Sequence, residues 1–549
     1  MCTVAHGTQS QRGGTVSRGA RNTKLVLTNQ GWMRAGAALV SVAMVAACSS
    51  GGDSPGEAAP ARDKLVVATA GPPSTLDPHS TSAFLDQQIA WHVYEGLWTI
   101  DSTFQAQPML AESGELDAER NVFTITLRDG VKFHDGSELD SADVVASLNR
   151  WREAASYGGL FNGLVTDVTA VSDLVVELAL SGPSPVIEQL LAFPNQQAAI
   201  MSSEAIEAAG DGPLGDPVGT GPYQLDEHVL GQFVRLAKFD DYVPRDEEPD
   251  GLAGRREATV ASLEFRPTPE VSVRRDSVVT GQVDVAQAIS PDMLGALESA
   301  ADVDPLIVKP YWWSMAVFDK SEAPFDDVNV RRAFMAALDM EPVMRAAFAS
   351  EDFYRLQPGV FQPEQELWKS DAGSEVYNQQ DVAAAKAMLA ETGYNGEELI
   401  WVTTREYPYM YTNATVAVQQ LEAVGFNITL EVVDYATIVD RRTRPAEFDI
   451  FSGATTFTAD PGIWPCWDEN WPGTWKDTEK DALVQRLNTT VDVEERQEVW
   501  NELQTYFYDQ IPMVKFGDLF DLSAHAADLE GMESGPFPRF WNVAAGSGA

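Results

Sequence analysis

Residues 399–433, LIWVTTREYPYMYTNATVAVQQLEAVGFNITLEVV, decide the class of fold. The apolar runs 399–403 and 428–433 have the composition of buried strands. Between them, residues 415–424 carry apolar side chains at helical spacing, and Gly425 follows where a helix often ends. A strand, a helix and a second strand in this order predict a βαβ unit with parallel strands. The sequence therefore indicates an α/β protein.

Other segments give local predictions. Strands are expected at 64–69 and 122–127, and the Asp-Gly turn at 129–130 predicts that the second strand forms a hairpin with 131–133. Ser141 is expected to cap a helix that runs to Trp151. Residues 326–348 read as one helix, with Arg331 and Arg332 turned away from its apolar face.

The composition excludes several classes of protein. The chain has 549 residues, and at about 150 residues per domain this length suggests three or four units. Hydrophobic residues make up 44%, which excludes global disorder. A formal charge of -44 argues against a nucleic-acid partner, because such partners need clustered Lys and Arg. Three cysteines cannot build a disulfide framework or a cysteine-based zinc site.

The N-terminal segment differs from the rest of the chain. Residues 1–47 contain five Lys and Arg and no acidic residue, and they end in the short apolar stretch 35–47. This order predicts a secretory signal peptide at 1–47. Residues 48–61 are rich in Gly, Ser and Pro and are expected to form a flexible tether. The alternative is a buried N-terminal helix followed by an incidental Cys48.

Several blocks of the chain resemble one known family, the family 5 extracellular solute-binding proteins, which are the peptide/nickel-type receptors of bacterial ABC importers. The blocks are LDPH at 76–79, YEGL at 94–97, LRDGVKFHDG at 127–136, GTGPY at 219–223 and PFDDVNVRRAFMAALD at 324–339. Cys48, after small residues, is similar to the lipobox cysteine of bacterial lipoproteins, which implies lipidation there. Asp319 departs from the family, which usually has Asn at this place.

The resemblance implies a two-lobe periplasmic-binding-protein-like fold (type II) with an extra inserted domain. Lobe I is expected to comprise 62–100, 185–309 and 508–549. The inserted domain is expected at 101–184 and lobe II at 310–507. Lobes that are discontinuous in sequence are joined by several chain crossings, which suits closure about a hinge.

The resemblance also implies a binding site. Peptide-binding members hold the ligand ammonium with an Asp in lobe two, because a buried ammonium needs a facing carboxylate. Asp460 falls where that acid is expected. The alternative is that Asp460 only initiates an Asp-Pro turn. Phe457 stands where the family more often has Trp. Aromatic residues can line a cleft or pack on their own lobe. The other expected ligand-binding residues are Thr458, Trp464, Trp467, Trp313, Phe84 and Tyr157.

The implied function is an extracytoplasmic receptor, lipid-anchored through Cys48 to the outer face of the cell membrane, that delivers short peptides to a permease with its ATPase. A monomer without cofactor, metal or nucleic acid is expected. An oligosaccharide remains an alternative ligand because sugars stack on indoles, and a nickel chelate or haem is a weaker one. An enzyme is not expected, because the sequence has no G-x-S-x-G, H-E-x-x-H or P-loop motif. A structural or adhesive role would leave the family blocks unexplained.

Overall fold

A computed structural model describes residues 63–546, apart from residues 211, 213, 349 and 456. The expected signal peptide, the tether and Cys48 lie outside the described residues. Within that range, no helix is both long enough and apolar enough to cross a membrane.

The chain alternates strands and helices, as an α/β protein should. The strands are β1 (Lys64–Thr69), β2 (Trp98–Ile100), β3 (Ala106–Pro108), β4 (Ala111–Asp117), β5 (Val122–Leu127), β6 (Val165–Ser172), β7 (Val175–Leu180), β8 (Tyr223–Val229), β9 (Phe233–Lys238), β10 (Ser262–Pro267), β11 (Val285–Ile289), β12 (Val303–Phe318), β13 (Tyr354–Arg355), β14 (Glu398–Thr403), β15 (Asn427–Val432), β16 (Ile450–Thr455), β17 (Met513–Ala526), β18 (Leu529–Glu530) and β19 (Ala544–Ala545).

The helices are α1 (Phe84–Val93), α2 (Ser141–Ala154), α3 (Ser156–Leu164), α4 (Ile187–Ala192), α5 (Ser203–Ala209), α6 (Val271–Val279), α7 (Leu294–Glu298), α8 (Val328–Ala337), α9 (Met340–Phe348), α10 (Val382–Ala390), α11 (Pro408–Glu422), α12 (Tyr435–Arg441), α13 (Thr478–Thr489) and α14 (Val493–Gln510).

One large mixed sheet organises the fold, in the order β15-β14-β16-β12-β17-β11-β1-β10-β9-β8. The long strands β12 and β17 lie at its centre. Val303 to Val308 of β12 pair with the end of β17 that also borders β11, whereas Trp313 to Phe318 pair with β16. The register between β12 and β17 shifts between Val308 and Trp312. The two strands therefore tie two halves of the sheet together, and this shift lies where the halves meet.

Two hydrophobic cores flank this central pair of strands. One contains α1, α2 and α4 together with the separate four-stranded sheet β4-β5-β7-β6. The other contains α8, α9, α11 and α14. We call the half that carries the first core lobe I and the half that carries the second lobe II. The boundaries predicted from the sequence remain proposals.

The predicted βαβ unit is confirmed. Strands β14 and β15 pair in parallel with α11 between them, and β14 also pairs in parallel with β16. Helix α11 begins at Pro408, seven residues before the predicted start, because proline is well suited to the first turn of a helix. The period of the apolar residues therefore identified this part of lobe II.

Three local predictions are wrong, and the first two concern β5 and the cap of α2. Strand β5 pairs with β4 and β7 rather than with residues 131–133. The helix at 141 is capped by the Asp140 side chain, which accepts hydrogen bonds from the Ala142 and Asp143 amides, and not by Ser141.

The predicted helix at 326–348 is two helices, α8 and α9, separated near Asp339. Arg331 does not face away from the core. It is 5% exposed, and its guanidinium donates to the carbonyls of Phe325, Gln510 and Ile511. A buried cation here satisfies carbonyls at the end of α14 that no helical amide can reach.

Two of the blocks that resemble the family, 127–136 and 219–223, meet in space. His134 Nε2 bonds to the Gly221 carbonyl at 2.9 Å, and the Gly219 amide donates to His134 Nδ1 at 3.2 Å. A Cβ atom at Gly219 would collide with the carbonyl oxygen of Val93. The turn at 219–223 thus needs glycine because it packs directly on the end of α1, and β8 starts at Tyr223 as the sequence indicates.

Because His92 in α1 is buried, we expect the stability of the protein to depend on pH. Burial lowers the pKa of His92 to about 3. Its Nδ1 bonds to the Gln88 carbonyl at 2.8 Å and its Nε2 accepts the Phe540 amide at 3.0 Å, which suits the neutral ring. In the unfolded chain histidine has a pKa of about 6.5. Below that pH the unfolded chain binds a proton at His92 that the folded protein does not bind. The free energy of unfolding therefore falls by up to about 1.4 kcal/mol for each unit by which the pH is lowered.

Urea denaturation at pH 7.5, 6.5 and 5.5 measures this loss. The slope of unfolding free energy against pH should be shallower in His92→Gln, which can keep one donor and one acceptor at the site. An unchanged slope in that variant would contradict the assignment to His92.

Candidate functional site

The loop after β16 carries most of the predicted site residues. Two short 3-10 turns, Pro461–Ile463 and Pro465–Trp467, shape it, and each begins with proline. Gln365 Nε2 donates to the Thr458 carbonyl at 2.7 Å and Trp467 Nε1 donates to the Pro461 carbonyl at 2.7 Å. The loop is therefore held by side chains of lobe II.

Phe457, Ala459 and Ile463 of this loop pack into the core of lobe I. The Phe457 ring lies 4.6 Å from Phe104 and 5.5 Å from Phe537, measured between ring centroids. The loop thus contacts lobe I, and Phe457 is 5% exposed.

A large cavity lies between the lobes, with a volume of about 690 Å³. Helix α3 supplies one wall, and the segment 462–472 with Val484 and Asn488 supplies the other. Binding sites for small molecules commonly have volumes of about 300–1,000 Å³. The predicted residues Tyr157, Trp464 and Trp467 line this cavity, and Trp471 lines it too.

A second, small cavity of about 20 Å³ lies on the other side of Trp464. Its walls include the predicted residues Trp313, Phe457 and Thr458. Trp464 lines both cavities and lies 6.1 Å from Trp313 between ring centroids. Six of the eight predicted ligand-binding residues therefore surround two adjoining cavities.

Phe84 does not line either cavity and packs on Trp91 at 5.7 Å between centroids. Trp91 in turn packs on Phe537, which also contacts Phe193 and Phe457. Phe84 is thus joined to the site only through this chain of rings.

Asp460 lies in a different environment from the one predicted for it. Arg496 donates to both carboxylate oxygens, at 2.7 and 2.6 Å, and the Gly462 amide donates to Oδ1 at 2.7 Å. The two side chains are only 4% and 6% exposed. The alternative in which Asp460 starts the Asp-Pro turn matches this hydrogen bond to Gly462, whereas contact with a ligand ammonium stays a prediction.

Neutral polar atoms face the two cavities. Thr458 Oγ1 beside the small cavity and Asn488 Oδ1 beside the large one are buried and lack hydrogen-bond partners. Burial raises the pKa of Tyr157 far above its usual value, so its hydroxyl stays protonated. A buried polar atom without a partner is costly, which makes these atoms suited to a ligand's hydrogen-bonding groups.

A charged network supports the wall behind Trp313. Lys515 lies 5.6 Å from the centre of that ring and 2.6 Å from Asp518, and Arg355 joins Asp518 to Glu364. Burial lowers the pKa of Lys515, and Asp518 opposes that shift. These charges are paired with one another, so they position the wall without presenting a free charge to it.

Several residues of the site were not predicted from the sequence. Phe361 lines the small cavity, and Phe104 and Phe537 pack on Phe457. Gln362 and Gln365 fix the backbones of Tyr311 and Thr458. Phe537 comes from the C-terminal segment, where the pattern FPRFW is rich in aromatic residues. That enrichment was the available signal. Among the described residues, no group of His, Cys, Asp and Glu could hold a metal ion.

Comparison with known proteins identifies the family. The model of the bacterial extracellular solute-binding proteins, family 5, matches residues 105–471. The chain is 26% identical over 519 residues to the probable peptide ABC transporter periplasmic-binding protein y4tO of Sinorhizobium fredii, covering 89% of this chain and 94% of that protein. It is 28% identical over 501 residues to the glutathione-binding protein GsiB of Escherichia coli O1:K1, covering 86% and 92%.

Among solved structures, the dipeptide binding protein of Pseudoalteromonas sp. SM9913 in complex with Met-Leu matches with a TM-score of 0.72. The identity is 22%, and the match covers 87% of this chain and 98% of that one. The predicted two-lobe periplasmic-binding-protein fold is thus confirmed. This chain belongs to the family 5 bacterial extracellular solute-binding proteins.

Proposed function

We propose that the protein is the extracytoplasmic receptor of an ABC importer and captures short peptides between its two lobes without altering them. The observation that carries this proposal is the cavity of about 690 Å³ whose walls come from both lobes. A ligand there would be enclosed when the lobes close and released when they part. The names of the relatives, a peptide transporter component and a glutathione-binding protein, support peptides as the ligand class.

An oligosaccharide is the second candidate, and a specific observation favours it. Trp464, Trp467 and Trp471 all line the large cavity, and indole faces can stack on sugar rings. A nickel chelate or haem has less support, because neither cavity has a His or Cys side chain in its described lining.

Mass spectrometry of the protein purified from its native host under non-denaturing conditions tests the ligand class. The proposal predicts release of short peptides upon denaturation. Release of an oligosaccharide instead would overturn the peptide assignment. Calorimetry on protein stripped of ligand then measures affinity for the species released and would show whether that species is bound reversibly and unchanged.

The proposed export and anchoring rest on the sequence. Cleavage before Cys48 and lipidation of that residue would leave residues 48–61 as a tether that places the monomeric receptor beside its permease. The half called lobe I above would divide into a lobe made of 62–100, 185–309 and 508–549 and an inserted domain at 101–184, and lobe II would comprise 310–507. Two or three acyl chains hold a protein stably at a membrane, whereas one holds it weakly.

Cys48→Ser is expected to release the receptor into the medium or to stop its processing. Fractionation of cells followed by immunoblotting measures either result. Cys466→Ser is a matched control, because Cys466 is buried in lobe II and has no role in anchoring. Unchanged membrane retention of Cys48→Ser would remove the lipoprotein assignment.

A further inference from the structure

The large cavity between the lobes has mainly apolar walls. Leu160 and Leu164 of α3 lie on one side, and three tryptophans of the loop after β16 lie on the other. Trp464 and Trp467 are 4% and 5% exposed, whereas Trp471 is half-buried. Water makes few hydrogen bonds with walls of this kind, so an apolar group of a ligand that displaces the water gains affinity.

The described lining of this cavity offers no buried charge to a ligand. Asp468 is the one charged residue in it, and Asp468 is exposed. Its carboxylate already accepts hydrogen bonds from the amide and the side chain of Asn470, and water screens an exposed charge. A charged side chain placed against the tryptophans would lose its hydration without gaining an opposite charge. The cavity therefore disfavours acidic and basic side chains.

Two neutral polar groups lie in the same walls. Asn488 Oδ1 is buried and has no hydrogen-bond partner, while Asn488 Nδ2 donates to the Gly462 carbonyl at 3.3 Å. Tyr157 is 8% exposed, and its hydroxyl stays protonated. One free acceptor and one hydroxyl suit a peptide group or the polar edge of an indole or phenol ring. A sugar ring, which carries several hydroxyls, needs more partners than these.

Helix α3 places two glycines on the wall of the cavity, Gly159 and Gly163. Glycine is the poorest helix former after proline. Neither residue has a positive φ, and a Cβ atom on either would have no other atom within 4 Å. A Cβ atom on the neighbouring Gly158, in contrast, would collide with the carbonyl oxygen of Arg152. Packing thus requires glycine at 158 but not at 159 or 163.

The consequence of these two glycines is an open cavity. They are four residues apart and so lie on one face of α3. Side chains at both positions would take up space that is now empty. With about 690 Å³, the cavity has room for an aromatic side chain and the peptide backbone beside it, whereas the small cavity of about 20 Å³ has not.

We infer that the large cavity receives a bulky aromatic side chain of the peptide, so that the receptor selects peptides containing Trp, Tyr or Phe, and that Gly159 and Gly163 determine this specificity by keeping the cavity open. The inference rests on the proposed function and names the substrate class of that site. An aromatic side chain buries more apolar area than other side chains, and its ring can pack edge-on or offset against Trp471. The polar edge of Trp or Tyr can donate to Asn488 Oδ1.

A competition among matched peptides tests the inference. Purified protein, stripped of ligand, is mixed with equimolar dipeptides, tripeptides and tetrapeptides of Ala in which one position in turn is Trp, Phe, Leu, Lys or Glu, together with the all-Ala peptides. Retained peptides are quantified by mass spectrometry. Calorimetry then compares the best-retained peptide with the all-Ala peptide of the same length. The best-retained peptide should contain Trp or Phe and should bind at least about tenfold more tightly.

Two results would contradict different parts of the account. If a peptide without an aromatic residue is retained as well as the Trp and Phe peptides, the aromatic specificity is wrong while the peptide receptor stands. If no peptide is retained at all, the proposed peptide function itself fails, and the substrate class with it.

Leucine at the glycine positions tests the wall of the cavity. Gly159→Leu and Gly163→Leu, made separately, should each weaken binding of the best aromatic peptide at least about tenfold and binding of the all-Ala peptide less than about threefold. Leucine is a better helix former than glycine, so neither variant should unfold at a lower urea concentration.

Gly295→Leu is the matched control. Gly295 also lies in a helix, α7, with no atom within 4 Å of its Cβ position, and it lines neither cavity. The control should bind both peptides as the unmodified protein does. An unchanged preference for the aromatic peptide in folded Gly159→Leu and Gly163→Leu would contradict the role given to the two glycines.

Discussion

Arg496→Met is expected to lower the free energy of unfolding by about 3–5 kcal/mol, because it leaves the buried carboxylate of Asp460 without its partner. Asp460 would retain only the Gly462 amide, and the Leu487 carbonyl would lose its donor. Removal of one member of a buried pair costs far more than removal of both, since the remaining charge has no water to solvate it.

Urea denaturation at pH 7.5, followed by circular dichroism, measures this loss. The control is the double variant Asp460→Asn/Arg496→Gln, which should recover most of the stability because no lone charge remains. A loss below about 1 kcal/mol in Arg496→Met would place the pair among exposed ion pairs and would contradict the burial seen here.

Phe457→Ala is expected to weaken ligand binding by about 30-fold to 150-fold, which corresponds to about 2–3 kcal/mol. Phe457 is a lobe II residue whose ring packs against Phe104 and Phe537 of lobe I. We expect these contacts to be lost when the lobes part. Its truncation removes buried area and two ring contacts from the closed form but little from the open form. Because a ligand is enclosed only in the closed form, the loss appears as weaker binding.

Calorimetry with the ligand recovered from the native protein measures this effect. Phe457→Leu is the matched control: it keeps most of the apolar volume and should lose less than about fivefold. Wild-type affinity in Phe457→Ala would show that the contact between the lobes does not contribute to capture.

The sequence predicted the fold well where the spacing of apolar residues identifies a helix or a strand. The apolar spacing in 399–433 defined β14, α11 and β15, because each of these elements places one face in the core of lobe II. The pairing of β5 could not be read in the same way. One partner, β7, begins 48 residues after β5 ends, at Val175 against Leu127. The other, β4, lies just before β5, but the nearby Asp-Gly turn suggested a partner after β5 instead. Pairings at such separations depend on the packing of the whole domain.

Arg331 shows why the burial of a charged residue is hard to predict from the sequence. Its helical phase points it away from the apolar stripe of α8, which normally means solvent. Three backbone carbonyls, two of them at the end of α14, receive it instead. Nothing in the sequence near Arg331 reports a helix end that lies about 180 residues further along the chain.

The aromatic part of the site was predictable and its electrostatics were not. The run of Trp residues in the loop after β16 identified Trp464 and Trp467, and the family resemblance identified Phe457; all three line the cavities. Asp460 and Arg496 are 36 residues apart, and with 82 acidic residues in the chain no single acid–base pair stands out. The partner of a buried charge is set by tertiary structure, so the pairing of Asp460 with Arg496 could not be read from the sequence.

The distance between the lobes, measured by pulsed electron paramagnetic resonance on spin labels, tests the central claim that the two halves close over a solute. One label replaces exposed Leu230 on lobe I and the other exposed Val493 on lobe II, with Cys2 and Cys48 changed to serine and buried Cys466 left in place. A saturating amount of the recovered ligand should shift the distribution towards shorter distances, while a control pair at Leu230 and exposed Val171, both on the half that carries the first core, stays fixed. Identical distributions with and without the ligand would contradict the claim.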